Sequence, residues 1–382
     1  MKKIAFCCLL SSFIAANSWA QAVDLFDDSA LDKTSATTDK EDSANAAGSA
    51  ESAEEESQGF FSFITKPLSL LFSADDKVPT PDGKEETFLE RSTRQANEGK
   101  IEDQMNLAYM YLYGTNGVQK DSRKAFEYYQ MAAEQNNPIA LNNLGSLYFN
   151  GIGTNPDVKK AVALFTKAAE LGNDNAAINL AFIYLKGGTK NQTRNETAMD
   201  LFKKAASSGN NVAKFMLGYA YYLGFVYEQN YDQAFKLIKS AAGNNSNLDE
   251  AQIVLAEMYI KGNGTVQNYI KGIEYYRNAV TQGNSEAFME LADIYAQGQI
   301  TPQNLIMAHA LYNIASVMEE PGAAEKRDEI GKKLKLEMLL QAQANAQNFK
   351  EAPSELTLYV RRTFGFNIRS YIDMNILTNK GK

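Results

Sequence analysis

Residues 144–173 read LGSLYFNGIGTNPDVKKAVALFTKAAELGN. At their centre a glycine-rich turn, Gly151 to Gly153, leads into Lys159, Lys160 and an apolar helical run. A turn of that kind ahead of a helix invites a phosphate-binding reading. The phosphate-loop pattern needs a late glycine followed by Lys and Ser or Thr, and this stretch lacks it. The same joint also recurs, as GTNGVQKDSRKA from Gly114 and GNGTVQNYIKGI from Gly262. A single-purpose nucleotide site would not be copied along a chain as its hinge. The turn is a joint, and its spacing is a ruler.

Applied to the rest of the chain, the ruler finds six copies. Leu107, Leu144, Leu180, Leu217, Leu255 and Leu291 follow one another at steps of 36 to 38 residues. Four residues after each comes Tyr111, Tyr148, Tyr184, Tyr221, Tyr259 or Tyr295, and three further on a glycine, from Gly114 to Gly298. Small residues return at Ala125, Ala161, Ala198, Ala234, Gly272 and Ala308, and again seven residues later at Ala132, Ala168, Ala205, Ala241, Ala279 and Ala315. Ala140, Leu144 and Tyr148 share one helix face. Gly151 suits the left-handed residue that ends such a helix. Asp121, Asp157, Asn230, Asn268 and Asn304 stand where a second helix needs its N-cap. In the third unit Arg194 breaks this pattern, and Asn195 is the replacement expected. Each unit is a helical hairpin that cannot bury its own apolar face, so stacking is required and a superhelix with a concave side follows.

These residues carry a family resemblance. The stretch 144–173 resembles the Sel1-like repeat, a branch of the tetratricopeptide superfamily, with its A-x3-LG-x2-Y-x2-G-x-G opening, capping Asp, K-A pair and closing KAA-x-x-G. The resemblance covers about residues 101–318, with repeats at about 101–137, 138–173, 174–210, 211–247, 248–284 and 285–320. It implies an all-α fold: a right-handed α-solenoid of six hairpins. Residues 85–98 fit an N-terminal capping helix, and the stretch to 350 fits C-terminal closing helices. Departures are confined to turns: Gly272 replaces an alanine, Gly243 arrives early before NNSN, and the first loop is one residue longer.

Outside the repeats the composition changes. MKK, an apolar run and SWA ending at Ala20 read as a secretory signal peptide, residues 1–20, too short to span a bilayer. It contains Cys7, Cys8 and Trp19, so the mature chain has neither Cys nor Trp. The expected location is the periplasm, with secretion as the alternative. Residues 21–84 read as an acidic disordered linker interrupted by an apolar island at 59–73, GFFSFITKPLSLLFS. Residues 21–59 hold eleven acids and two lysines, whereas the tail from Lys350 holds six basic and three acidic residues. Two roles stay open for that tail, 351–382: packing under the last helices, or recruiting an acidic partner. The repeats carry no electrostatic footprint for nucleic acid, and no later segment is long and apolar enough to span a membrane.

Enzymatic chemistry is poorly supplied. His309 is the lone histidine, and its repeat position holds Phe126, Val162, Met199, Phe235 and Ile273 in the other copies. A zinc site, a Ser-His-Asp relay and any cofactor are therefore not expected. Some disulfide-rich relatives are linked to β-lactam binding or hydrolysis, but their paired cysteines and the S-x-x-K motif are missing from this chain. The resemblance implies binding, with the first helix of each hairpin lining the groove. Positions beside each Leu–Tyr pair are Tyr109, Tyr113, Asn142, Phe149, Asn150, Phe182, Lys186, Phe215, Tyr219 and Tyr222, an aromatic set suited to a protein or peptide partner. Asn106, Asn143 and Asn179 precede the anchor leucines. Their amides either hold a peptide backbone or brace the hairpins. The leading expectation is a non-catalytic periplasmic adaptor. Its rivals are a cell-wall or β-lactam ligand binder or hydrolase and a secreted host-interaction factor.

Overall fold

The computed structural model describes residues 74–79, 85–186, 192–243, 247–364 and 367–380. The leader at 1–20, the acidic stretch 21–59 and the apolar island 59–73 lie outside those residues. Among the described residues there are seventeen helices and one two-stranded sheet.

The sheet pairs β1 (Lys77–Pro79) antiparallel with β2 (Glu85–Thr87), in the register Val78 opposite Glu86. The sequence reading placed 74–79 in a disordered linker, and the structure corrects it. Ala74 is buried and donates its N–H to Asn116 O at 2.7 Å, while Leu89 N donates to Ala74 O at 3.1 Å. Main-chain bonding holds this segment, and composition cannot report that. The capping helix α1 (Phe88–Asn97) starts on Thr87, whose side chain and that of Glu90 form a reciprocal capping box.

Hairpins follow in order. They are α2 (Ile101–Tyr113) with α3 (Ser122–Glu134), α4 (Pro138–Asn150) with α5 (Val158–Glu170), and α6 (Asp174–Leu185) with α7 (Gln192–Ser207). Next come α8 (Asn211–Leu223) and α9 (Tyr231–Ala242), α10 (Asp249–Lys261) with α11 (Tyr269–Thr281), and α12 (Ser285–Gln297) with α13 (Leu305–Val317). Helices α14 (Ala323–Gly331) and α15 (Leu336–Asn348) pack on α13, and α16 (Glu355–Phe364) and α17 (Ser370–Lys380) complete the chain. The described residues gather into two compact units, one drawn from 44–217 and 371–382, the other from 218–370.

The joints show why the pattern folds this way. Gly151 ends α4 at φ +68°, and Gly114, Gly224, Gly262 and Gly298 adopt the same left-handed backbone. The N–H of the next N-cap then bonds back to the repeat tyrosine carbonyl: Asp157 to Tyr148 at 2.8 Å, Asn268 to Tyr259 at 2.8 Å, Asn304 to Tyr295 at 2.9 Å. Asp157 Oδ1 accepts from Lys160 N at 3.0 Å, satisfying one orphan donor of α5. The third unit departs from expectation. α7 already begins at Gln192, so Asn195 lies inside its first turn, buried, with neither side-chain polar atom bonded.

Each core is built from the repeat set. In the first unit Ala140, Leu144, Ala161, Phe165 and Ala168 pack together with their neighbours, and Gly145 lies so close to Phe165 that a Cβ there would meet its ring at 2.9 Å. In the second unit Leu291, Tyr295, Ala308 and Ala315 play the same part. His309 is buried within α13, with Arg327 and Asp328 facing it; burial, reinforced by Arg327, pushes its pKa below the usual value.

One joint carries a flaw. Val226 takes the place that Gly153 and Gly264 hold in other copies, and it too adopts positive φ, +65°. A β-branched residue there costs on the order of 1–3 kcal/mol. Val226→Gly is therefore expected to stabilise the protein by about 1 kcal/mol after the entropic cost of glycine. Chemical denaturation of the two proteins checks this.

Candidate functional site

The first helices of the hairpins present one recurrent stripe outside the Leu–Tyr seam. Counted from the anchor leucine, positions −5, −2, +2 and +5 fall on one face of a 3.6-residue helix. Position +2 is Tyr109, Ser146, Phe182, Tyr219, Glu257 and Asp293 along the six copies. Position +2 is thus aromatic or neutral through the fourth copy and acidic in the last two.

In the unit containing 44–217, position +6, at the edge of this stripe, is exposed. Tyr113 is 48% exposed and its ring lies 4.7 Å from the half-buried Tyr109. Lys186 is exposed and holds its ammonium 5.0 Å from the half-buried Phe149 ring. Asn150 is exposed and donates to Ser146 O at 2.9 Å. These residues offer an aromatic, weakly cationic surface.

The amides are placed differently. Asn106, Asn142 and Asn143 are buried. Asn179 donates to Asn142 Oδ1 at 2.9 Å, which ties α6 to α4, and Asn142 donates to Asn143 Oδ1 at 3.3 Å. The Asn179–Asn142 bond brings neighbouring hairpins together. Phe182 and Phe215 are buried as well. Phe182 packs edge-on against Phe202 at 5.3 Å and against Tyr371 of α17 at 4.9 Å. Asn375 of the same helix donates to Leu185 O at 3.0 Å.

In the unit 218–370 the tail also lies on the repeats. Ala352 N donates to Thr281 O at 2.7 Å, and Ser354 Oγ donates to Asn247 O at 2.9 Å. Thr357, fully buried, donates to Gln282 Oε1 at 2.8 Å and accepts from Asp249 N at 3.2 Å. Arg361 reaches Asp249 Oδ2 at 2.8 Å and Gln282 O at 2.9 Å. Arg369 bonds Glu250 Oε2 at 2.7 Å and also Glu286, and its guanidinium lies 5.9 Å from the Tyr219 ring. Ile368 N donates to Glu250 Oε1 at 2.8 Å. The tail packs on acids of its own chain, covering α10 and the start of α12 rather than the closing helices. Burial pushes the Glu250 carboxyl up to about 7, against the pull of Arg369.

Beyond the tail a cleft of 310 Å³ opens between α10 and α12, lined by Glu257, Ile260, Tyr276, Glu290, Ile294 and neighbours. Tyr222 donates to Glu257 Oε2 at 3.0 Å, and Tyr219 stacks at 6.2 Å on Tyr222. Burial, then the charges of Glu257, Asp293 and Glu286, raises the Glu290 pKa. Sequence reasoning missed these acids because it followed aromatic residues at +2 and stopped where the stripe turned acidic. The charge at −5 and +2 in the last two copies was the available signal.

Comparison with known proteins agrees with this geometry. The family model described as Sel1 repeat matches residues 101–137, 138–173, 174–210, 211–246, 249–284 and 285–316. Among solved structures, a protective antigen of uropathogenic Escherichia coli strains displaying an SLR fold is 27% identical, with a TM-score of 0.63. That alignment covers 72% of this chain and 59% of the antigen. A Sel1 repeat protein from Oxalobacter formigenes is 26% identical, with a TM-score of 0.52, over 60% of this chain and 99% of that one. No curated protein matches the chain. Six matched repeats, a helical hairpin at each, and solved neighbours of the same fold place this chain in the Sel1 repeat family.

Proposed function

We propose that this chain is a non-catalytic interaction scaffold that holds a protein or peptide partner on the first-helix faces of its repeats. Sel1 repeats typically mediate protein–protein interaction, which sets the class. The observation that carries the reading is that these faces already hold peptide. In one unit the stripe residues Phe182 and Leu185 hold α17, and in the other Glu250 and Glu286 hold Arg369. A surface that binds its own chain by side-chain ion pairs, ring contacts and main-chain bonds is equipped to bind another. The open aromatic set around Tyr113 and Phe149 is the first place to look for it.

We propose the periplasm as the location of this scaffold, with secretion as the alternative; the leader-like start supports this reading. Fractionation into periplasm and culture medium separates them.

Replacing Tyr113 and Phe149 with serine is expected to abolish crosslinked partner capture from the native envelope, with far-UV circular dichroism unchanged. Phe182 and Tyr219 are unsuitable for this test because their burial would confound folding with binding. Undiminished capture by the folded variant would put the interface elsewhere. Hydrolysis of the chromogenic β-lactam nitrocefin by the wild type, lost in the same variant, would contradict the non-catalytic reading.

A further inference from the structure

The seam between residues 352–369 and helices α10–α12 carries buried ion pairs that the seams between hairpins described above do not. Hairpins meet through alanine, leucine and aromatic side chains, with a neutral amide bond from Asn179 to Asn142. This seam is lined by Asp249, Glu250, Gln282, Thr357, Arg361 and Arg369, and the segment also buries Leu356, Tyr359, Val360 and Ile368. Buried ion pairs are specific, but they add little net stability over an apolar seam of the same size. Opening the seam uncovers those apolar side chains, so an occupant that replaces the segment has to supply apolar residues as well as arginines. Asp249, Glu250 and Glu286 sit in the first turns of α10 and α12, where solvated acids are at home against the helix dipole. The apolar core around Ile253, Leu291 and Tyr295 contains no described residue of 352–369.

We propose that residues 352–369 are a displaceable occupant of this face, and that its external ligand is an arginine-bearing peptide of the same chemistry. The inference rests on the proposed binding role of the first-helix faces and adds the partner class and its regulation. The peptide supplies one guanidinium to Asp249 and the carbonyl of Gln282. It supplies a second, eight residues on, between Glu250 and Glu286, with an apolar residue ahead of it in the place of Ile368. The Tyr219 ring adds a cation–π contact to the second arginine. The in-chain segment has a high effective concentration, so a free peptide competes poorly until the segment is weakened.

The test uses the full chain and a fluorescent synthetic peptide of residues 352–370. The double variant Arg361→Glu/Arg369→Glu is expected to bind the peptide saturably and at least tenfold more tightly than the wild type. A peptide with both arginines replaced by glutamate is expected not to bind. Absence of peptide binding by a double variant that remains folded by circular dichroism overturns the proposal. Equal binding by wild type and variant does the same, and so does a wild-type dimer held by exchanged tails, since the occupant is then not in-chain. Hydrogen exchange of the wild type covers the case of a variant that does not fold. Amides of α16 should exchange before those of α10 and α12; exchange of all three in one event overturns the proposal. Failure here leaves partner capture at Tyr113 and Phe149 standing. Loss of that capture, with peptide exchange intact, would sink the broader reading alone.

Discussion

Gly153→Ala is expected to destabilise the protein by about 3 kcal/mol, well beyond an ordinary turn glycine. Gly153 has φ +70°, where an L side chain costs about 1–2 kcal/mol. A Cβ at Gly153 would also lie 2.1 Å from Ser122 O and 2.7 Å from Ser122 C, which are backbone atoms of the preceding hairpin. Relief requires moving the joint away from the N-terminus of α3, and forced overpacking adds about 1–3 kcal/mol. Gly172 is the control: its φ is +89°, but nothing lies within 4 Å of its would-be Cβ. Gly172→Ala should therefore show the backbone cost alone. Equal losses in denaturant melts of the two variants would mean that the second glycine of the joint does not dock on its neighbour.

Arg369→Ala is expected to have the largest effect in the unit 218–370. The Glu250 side chain is 2% exposed, and the substitution leaves it buried without its cation. Removing one member of a buried pair costs about 3–5 kcal/mol. Glu286 is 38% exposed and can return to water, so Glu250 carries most of the loss. Opening of the seam caps the loss at the free energy of docking. Hydrogen exchange in α16 should then accelerate on the order of a hundredfold, about 3 kcal/mol at 1.4 kcal/mol per decade. The effect also depends on pH. Burial holds the Glu250 pKa above its unfolded value of 4.5, at about 7 beside Arg369 and higher without it. The folded variant therefore binds a proton that the unfolded chain releases, and its stability falls as pH rises through that window. The defect should shrink between pH 8 and pH 5. A pH-independent defect would mean that Glu250 is not the residue left stranded.

The repeat hairpins were legible in the sequence because they rest on local rules. Gly151, Asp157, Ala161 and Leu144 each do a job set within about twenty residues of chain. The placement of the tail was not legible. Its positive charge pointed to an acidic surface, but Arg369 meets Glu250 across more than a hundred residues, and nothing local selects that pair over Asp293 or Glu257. The asparagines show a different limit. Asn142 and Asn143 lie on first helices beside the anchor leucine, and periodicity alone cannot decide whether an amide there faces a ligand or the next hairpin. The bond from Asn179 to Asn142 settles which neighbour it meets. The strand at 77–79 escaped notice because its three residues are held by main-chain bonds, which no side-chain pattern encodes.

The central claim is that partners meet the first-helix faces. A photo-crosslinking amino acid placed at Tyr113 or Asn150 in the native envelope, and separately at Glu127 on α3, tests it most directly. All three positions are exposed, so each probe reaches whatever lies against its own helix. Tyr113 and Asn150 should yield the same adduct, and Glu127 none. An adduct from Glu127 with none from Tyr113 or Asn150 would move the binding surface to the second helices and contradict the account.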